Sequence, residues 1–169
     1  MSVRDRLRLA ALITALVPAG MLGMAYYTQY VDGLLPCILC LYQRPPHFAA
    51  AAAGLLALLC VGGPRGASRA FLGLAALALL TGAGIAAFHA GVELKLWPGL
   101  AACGGTIAPL PTDDLLNNLN NTKIVACDAA SWVFLGLSMA AWNALASLGL
   151  AAVALWGALQ GRLKGRFRA

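Results

Sequence analysis

AFLGLAALALLTGAGIAAFHAG, the run from Ala70 to Gly91, holds no Asp, Glu, Lys or Arg. A helix needs about 20 apolar residues to cross a bilayer, and this run is long enough. Three similar runs accompany it: Leu9–Tyr30, Pro46–Gly62 and Met139–Gln160. The second is the shortest and can borrow residues from Leu41 onward. The chain is 61% hydrophobic and 11% charged, against about 25% charged in an ordinary soluble domain. Alanine, glycine and leucine dominate the runs, and small residues let membrane helices approach closely. The expected fold is therefore an all-α membrane protein: one domain over residues 1–169, a four-helix transmembrane bundle.

The net charge of +6 is unevenly placed. Arg4, Arg6 and Arg8 precede the first run, and Arg65 and Arg69 lie between the second and third. Arg162, Lys164, Arg166 and Arg168 follow the fourth. Nine of the twelve basic residues thus fall on one side, which the positive-inside rule makes cytoplasmic. Both termini are expected there, with two outer (periplasmic) loops over roughly 31–45 and 92–138. No nucleic-acid motif accompanies the basic ends. The first run has a basic start and small residues near Ala19–Gly23, as a signal peptide would. It is too long for a usual signal core, and its removal would leave an odd number of spans, so it reads as retained.

Five cysteines are present. Cys37 and Cys40 form a Cys-x-x-Cys pair in the first outer loop, and Cys103 and Cys127 lie in the second. Closing so short a loop as Cys37–Cys40 removes little entropy from the unfolded chain, so the pair is a poor staple. It is a good redox element, because one sulfur can attack a disulfide while the other resolves the intermediate. Outward cysteines occupy an oxidising compartment. Several connectivities are open, of which Cys37–Cys40 with Cys103–Cys127 is the simplest. A zinc site is a rival, but structural zinc sites pair two closely spaced couples and the second couple here is spread. Cys60, at the inner end of the second run, reads as a passive buried thiol.

A dithiol relay needs an electron sink. No Gly-x-Gly-x-x-Gly, Cys-x-x-Cys-His or iron–sulfur spacing is present. A lipid-soluble quinone, ubiquinone or menaquinone, is the simplest acceptor. Arg44 follows Cys40 by one helical turn and could favour a thiolate and bond a quinone oxygen; it could equally be a snorkelling arginine. Pro45 disfavours helical dihedrals at Arg44, which leaves two helix starts open, one before Cys40 and one at Pro45–Pro46. The earlier start makes Cys37 the activated thiol; the later one favours Cys40. His89, an ionisable residue inside a span, is a further candidate for the quinone site. His47 is a weaker one, and Glu93 reads as an exposed interface acid. In the second loop, Gly104-Gly105 and Pro109-Leu110-Pro111 mark turning backbone. Thr112 can cap a short helix whose Leu115, Leu116 and Leu119 share one face. Trp97 and Trp132 suit the membrane interface.

At these residues the chain resembles the DsbB family of bacterial disulfide-generating membrane proteins. Pro36-Cys37-Ile38-Leu39-Cys40-Leu41-Tyr42-Gln43-Arg44 is similar to that family's Cys-x-x-Cys-x-x-x-Arg segment. Cys127 to Met139 resembles its Cys-x4-Trp-x-Phe-Leu-Gly-Leu-x-Met stretch. His89-Ala90-Gly91-Val92-Glu93, with Trp97-Pro98-Gly99 and Cys103, resembles the segment leading to its third cysteine. Pro45-Pro46 is the main departure. The resemblance implies that Cys103 forms the mixed disulfide with a soluble, thioredoxin-like (DsbA-like) oxidase. Cys127 then resolves it and exchanges with Cys37, while Cys40 faces the quinone beside Arg44 and His89. It implies an inner-membrane enzyme that makes disulfides de novo, with no metal. Two other readings remain: a vitamin-K-epoxide-reductase-like quinone thiol oxidoreductase, whose cysteine order resembles the reverse of this one, and a non-catalytic scaffold with two structural disulfides.

Overall fold

A computed structural model describes residues 1–103, 126–130 and 132–160. The turns expected at Gly104-Gly105 and Pro109–Pro111, the Thr112-capped helix and the basic tail from Arg162 to Arg168 lie outside the described residues. Four long helices make up the bundle: α1 Val3–Tyr30, α2 Ile38–Leu59, α3 Arg65–Glu93 and α4 Met139–Leu159. All four are long and apolar enough to span a membrane.

Side chains cap the N-terminal ends of three of the four helices. Ser2 starts α1 with a reciprocal capping box: its Oγ accepts the Asp5 N–H at 3.2 Å and the Asp5 carboxylate accepts the Ser2 N–H at 2.9 Å. Ser138 caps α4 by accepting the Ala141 N–H at 3.2 Å. α2 starts at Ile38 and runs unbroken through Pro45 and Pro46, so of the two starts left open by the sequence the earlier one is adopted. Neither proline has an N–H, so the carbonyls of Leu41 and Tyr42 lose their usual helical donors. Membrane helices tolerate this where other groups or water can serve those oxygens. After α2 a single 3-10 turn, Cys60–Gly62, leads to Pro64 and α3.

Around the bundle α1 packs on α2 and α4, and α3 packs on the same two helices from the other side. Small residues line these seams. Ala10, Ala11 and Ala57 pack with Leu7, Val61 and Leu72 near one end, and Ala50, Ala76, Ala151 and Ala154 pack with Leu79 and Leu150 further along. At Gly54 the approach to α1 is closest: a Cβ there would stand 2.6 Å from the Ala15 backbone nitrogen. Large apolar side chains such as Leu16, Leu59 and Leu77 point outward, as lipid-facing residues do.

A feature that the sequence reading did not anticipate precedes α4. Val133–Phe134 and Leu137–Ser138 pair as a two-stranded antiparallel hairpin. Its two-residue turn, Leu135 and Gly136, has φ of 51° and 78°, which is the twist that tight hairpins need. Trp142 on α4 clamps it by donating its indole N–H to the Phe134 carbonyl at 3.0 Å.

Candidate functional site

Pro36 and an extended Cys37 deliver the chain to α2, and Cys37 is the N-cap residue. Its sulfur accepts the backbone N–H of Cys40 at 3.3 Å. The two sulfurs lie 2.8 Å apart and are not bonded. The hydrogen bonds with the Cys40 thiol, then with His89 and the Cys40 backbone N–H, outweigh burial and hold the Cys37 thiol well below the ordinary thiol range. Cys40 lies on the helical turn that carries Arg44 four residues on, so both share one face of α2.

Beyond α3 the chain folds back over the helix ends. Trp97 lies against Phe88, ring centroids 5.9 Å apart, and donates to the Phe88 carbonyl at 3.0 Å. Gly91 is the space that makes this possible, since a Cβ there would stand 2.0 Å from the Trp97 ring. The turn leads to a single 3-10 turn, Ala101–Cys103, and Cys103 is disulfide-bonded to Cys127. Lys95 ties down the returning strand of chain: its Nζ donates to the Asp128 carbonyl at 2.9 Å and pairs with the Asp128 carboxylate, which it holds below the usual carboxylate range. Cys37, Leu39, Val92, Cys103 and Cys127 form one buried cluster, with Cys40, Ile38 and Phe88 packed against it. Cys37, Cys40, Cys103 and Cys127 therefore meet in one place, and Cys60 is free, half-buried and at the other end of α2.

His89 enters this cluster from α3. Its Nε2 lies 3.5 Å from the Cys37 sulfur and 3.7 Å from Glu93 Oε1. Glu93 is not an exposed acid. Its side chain is 9% exposed, and its Oε2 is buried without a hydrogen-bond partner among the described residues. Arg44 turns to α1 instead: its guanidinium donates to Gln29 Oε1 at 2.6 Å and lies over the Tyr26 ring, 4.6 Å from the centroid. Tyr26 in turn stacks on Tyr30 and leans on Phe48. The two sulfurs and His89 Nε2 lie within 4.8 Å of one another, a set that could hold a soft metal. Tetrahedral zinc, with Zn–S bonds of about 2.3 Å, needs sulfurs roughly 3.8 Å apart. The observed 2.8 Å suits S–S bond formation better.

The sequence reading missed Gln43, Asn143 and Ser147. Gln43 bonds His89, Asn143 bonds Gln43, and Ser147 lies between Asn143 and His47. Their signal was present: polar residues inside apolar spans are costly unless paired, and each could have been flagged on that ground.

A sequence model of the family described as "Disulfide bond formation protein DsbB" matches residues 7–157. The chain belongs to the DsbB family. It is 37% identical over 159 residues to "Disulfide bond formation protein B" of Xanthomonas campestris pv. campestris (strain 8004), covering 89% of this chain and 90% of that one. It is 32% identical over 154 residues to "Disulfide bond formation protein B 2" of Pseudomonas syringae pv. syringae (strain B728a), covering 89% and 87%. A relative from Marinobacter nauticus (strain ATCC 700491 / DSM 11845 / VT8) is 38% identical over 138 residues, covering 77% and 79%. As a DsbB-family member with four membrane-spanning helices, the protein is a multi-pass membrane oxidoreductase of disulfide bond formation.

Proposed function

We propose that the protein oxidises a periplasmic, thioredoxin-like dithiol partner and passes the electrons to a membrane quinone. The observation that carries this reading is the burial of a disulfide, Cys103–Cys127, in the same cluster as an unbonded pair, Cys37 and Cys40. A partner thiolate attacks Cys103 and Cys127 leaves as thiolate. The partner's second thiol displaces Cys103, so the partner departs oxidised and the loop pair holds two electrons and two protons. Cys127 then attacks the Cys37–Cys40 disulfide at Cys37, Cys40 leaves, and Cys103 closes the loop disulfide again.

Two features support this division of labour. Cys37 belongs to the buried core of the cluster with the loop cysteines, whereas Cys40 packs at its margin, on the Arg44 face of α2. Arg44 offers guanidinium donors beside the flat rings of Tyr26, Tyr30 and Phe48, a set suited to a planar ring with carbonyl oxygens. Arg44 and His89 would hold the quinone, ubiquinone or menaquinone. A quinone supplies, when bound, a sink for two electrons and two protons. The basic residues at Arg4, Arg6, Arg8, Arg65 and Arg69 support an inner-membrane orientation with the four cysteines periplasmic.

The test is direct. Purified protein, a reduced thioredoxin-like oxidase and a short-chain ubiquinone are mixed without oxygen, and partner disulfide and quinol are both counted. Equal yields of the two are expected. Partner oxidation that proceeds equally without quinone would overturn the proposal.

A further inference from the structure

Polar side chains are sparse inside this bundle, yet five of them join into one chain across three helices. Gln43 and His47 come from α2, His89 from α3, and Asn143 and Ser147 from α4. Gln43, His47, His89 and Ser147 are buried, where an unpaired polar group is expensive.

The bonding fixes which atom is which. Gln43 Nε2 lies 3.2 Å from the Leu39 carbonyl oxygen, which can only accept, so that atom is the amide nitrogen. Its second hydrogen points at His89 Nδ1, 3.1 Å away. His89 Nδ1 must therefore accept, and the proton of the neutral ring sits on Nε2. The other end of the Gln43 amide agrees: Oε1 accepts from Asn143 Nδ2, and Asn143 Oδ1 accepts from Ser147 Oγ at 3.2 Å. His47 joins through Gln43, donating from Nδ1 to the Gln43 carbonyl at 2.8 Å, and its Nε2 lies 3.4 Å from Ser147 Oγ as a second acceptor for the one hydroxyl hydrogen. Two amides lie in the path, so the chain holds orientation and does not carry protons.

We propose that Gln43, held in place by Asn143, is a positioning residue that locks His89 as its Nε2–H tautomer, so that the ring donates toward the Cys37 sulfur and Glu93. This rests on the reading of Cys37–Cys40 as the pair reoxidised by quinone. Without the lock, Nδ1 can take the proton, and Nε2 then presents a lone pair to Cys37, which repels a thiolate instead of bonding it. Gln43 acts through His89 and touches neither sulfur among the described hydrogen bonds.

The experiment uses the full-length protein, reduced in detergent and labelled with 15N-histidine. The chain has two histidines, and the His89 signals are those lost in His89→Ala. In the wild type, Nδ1 is expected to show the shift of an unprotonated ring nitrogen and Nε2 that of a protonated one. Gln43→Glu, whose carboxylate accepts, is expected to move the proton to Nδ1. Gln43→Met should give a mixture, and Asn143→Leu a smaller shift the same way. With a short-chain ubiquinone as acceptor, Gln43→Met should lower kcat about tenfold, the worth of one hydrogen bond of about 1.4 kcal/mol, with KM little changed. A wild-type His89 carrying its proton on Nδ1 overturns the proposal, and that measurement needs no variant to fold. A nitrogen pattern unchanged in a folded Gln43→Met protein overturns it equally. Wild-type protein that shows the Nε2–H ring but reduces no quinone sinks the acceptor reading and leaves the tautomer assignment standing.

Discussion

The Cys37 sulfur is the cap of α2: it accepts the Cys40 backbone N–H at 3.3 Å and lies 2.8 Å from the Cys40 sulfur. A helix N-terminus favours negative charge, and this one offers a backbone donor and a thiol donor to the same atom. The other sulfur, one turn into the helix, has no such position.

Cys37 should therefore ionise at unusually low pH. Its thiol is shifted down, chiefly by the Cys40 hydrogen bond and then by His89. A depressed group is charged above its native value. The stabilisation it gives is complete above the ordinary thiol value of about 8.5 and is lost as pH falls through the native one. Ultraviolet thiolate absorbance of the reduced protein should persist well below neutrality. Cys40→Ser keeps a donor and should preserve most of that behaviour, whereas Cys40→Ala should move the transition upward. An ordinary thiol titration in the reduced wild type would show that the cap does not activate Cys37.

The two pairs should separate by half-reaction. Cys103→Ser is expected to abolish partner oxidation while Cys37–Cys40 remains oxidisable by quinone. Cys40→Ser is expected to abolish quinone reduction while the loop still traps the partner as a mixed disulfide. Cys60→Ala should leave turnover unchanged. Loss of folding in all three would instead favour cysteines that serve only as structure.

Arg44→Ala should weaken quinone use by roughly ten- to a hundredfold, mostly as a raised apparent KM. A charge-assisted hydrogen bond is worth roughly 1.5–3 kcal/mol. Lysine should rescue in part, because it keeps the charge and loses the planar fork that lies over Tyr26. Partner exchange at Cys103–Cys127, measured without quinone, should hardly change. Collapse of that exchange with quinone reduction intact would make Arg44 part of a docking surface.

Gly91→Ala should loosen the turn that seats Cys103. The new methyl would stand 2.0 Å from the Trp97 ring, so the indole must leave its place on Phe88. Overpacking of this kind costs about 1–3 kcal/mol. Thermal unfolding in detergent should start earlier, and limited proteolysis should cut sooner between Leu94 and Cys103. Unchanged proteolysis would mean that Trp97 is not what seats this turn.

Much of this was legible in residues. The four spans stand out because apolar runs of bilayer length have few other uses, and the helices outrun them chiefly at the starts of α1, α2 and α3. The cysteines and His89 were identifiable by chemistry, and the structure brings them into one cluster. At Pro45-Pro46 local reasoning could not choose between two helix starts, because proline rules favour a break there while the apolar run favours continuation, and α2 takes the earlier start. Such reasoning made no prediction of the hairpin at Leu135-Gly136, where leucine does not advertise a positive φ. The Gln43–Asn143 contact joins residues a hundred positions apart, and no periodicity within one helix carries that information.

The paired prolines of α2 have a consequence for how the molecule floats. Two backbone oxygens, on Leu41 and Tyr42, lack their usual partners and cannot rest in hydrocarbon without another donor. Water and headgroups are the nearest general supply, so this turn is drawn to the boundary of the bilayer. Cys40 precedes it by one residue and Arg44 adjoins it, and both are carried to the same depth. The prolines thus act as a waterline: they hold the turn that carries Cys40 and Arg44 where hydrocarbon meets water, the depth at which the proposed quinone acceptor would reach it.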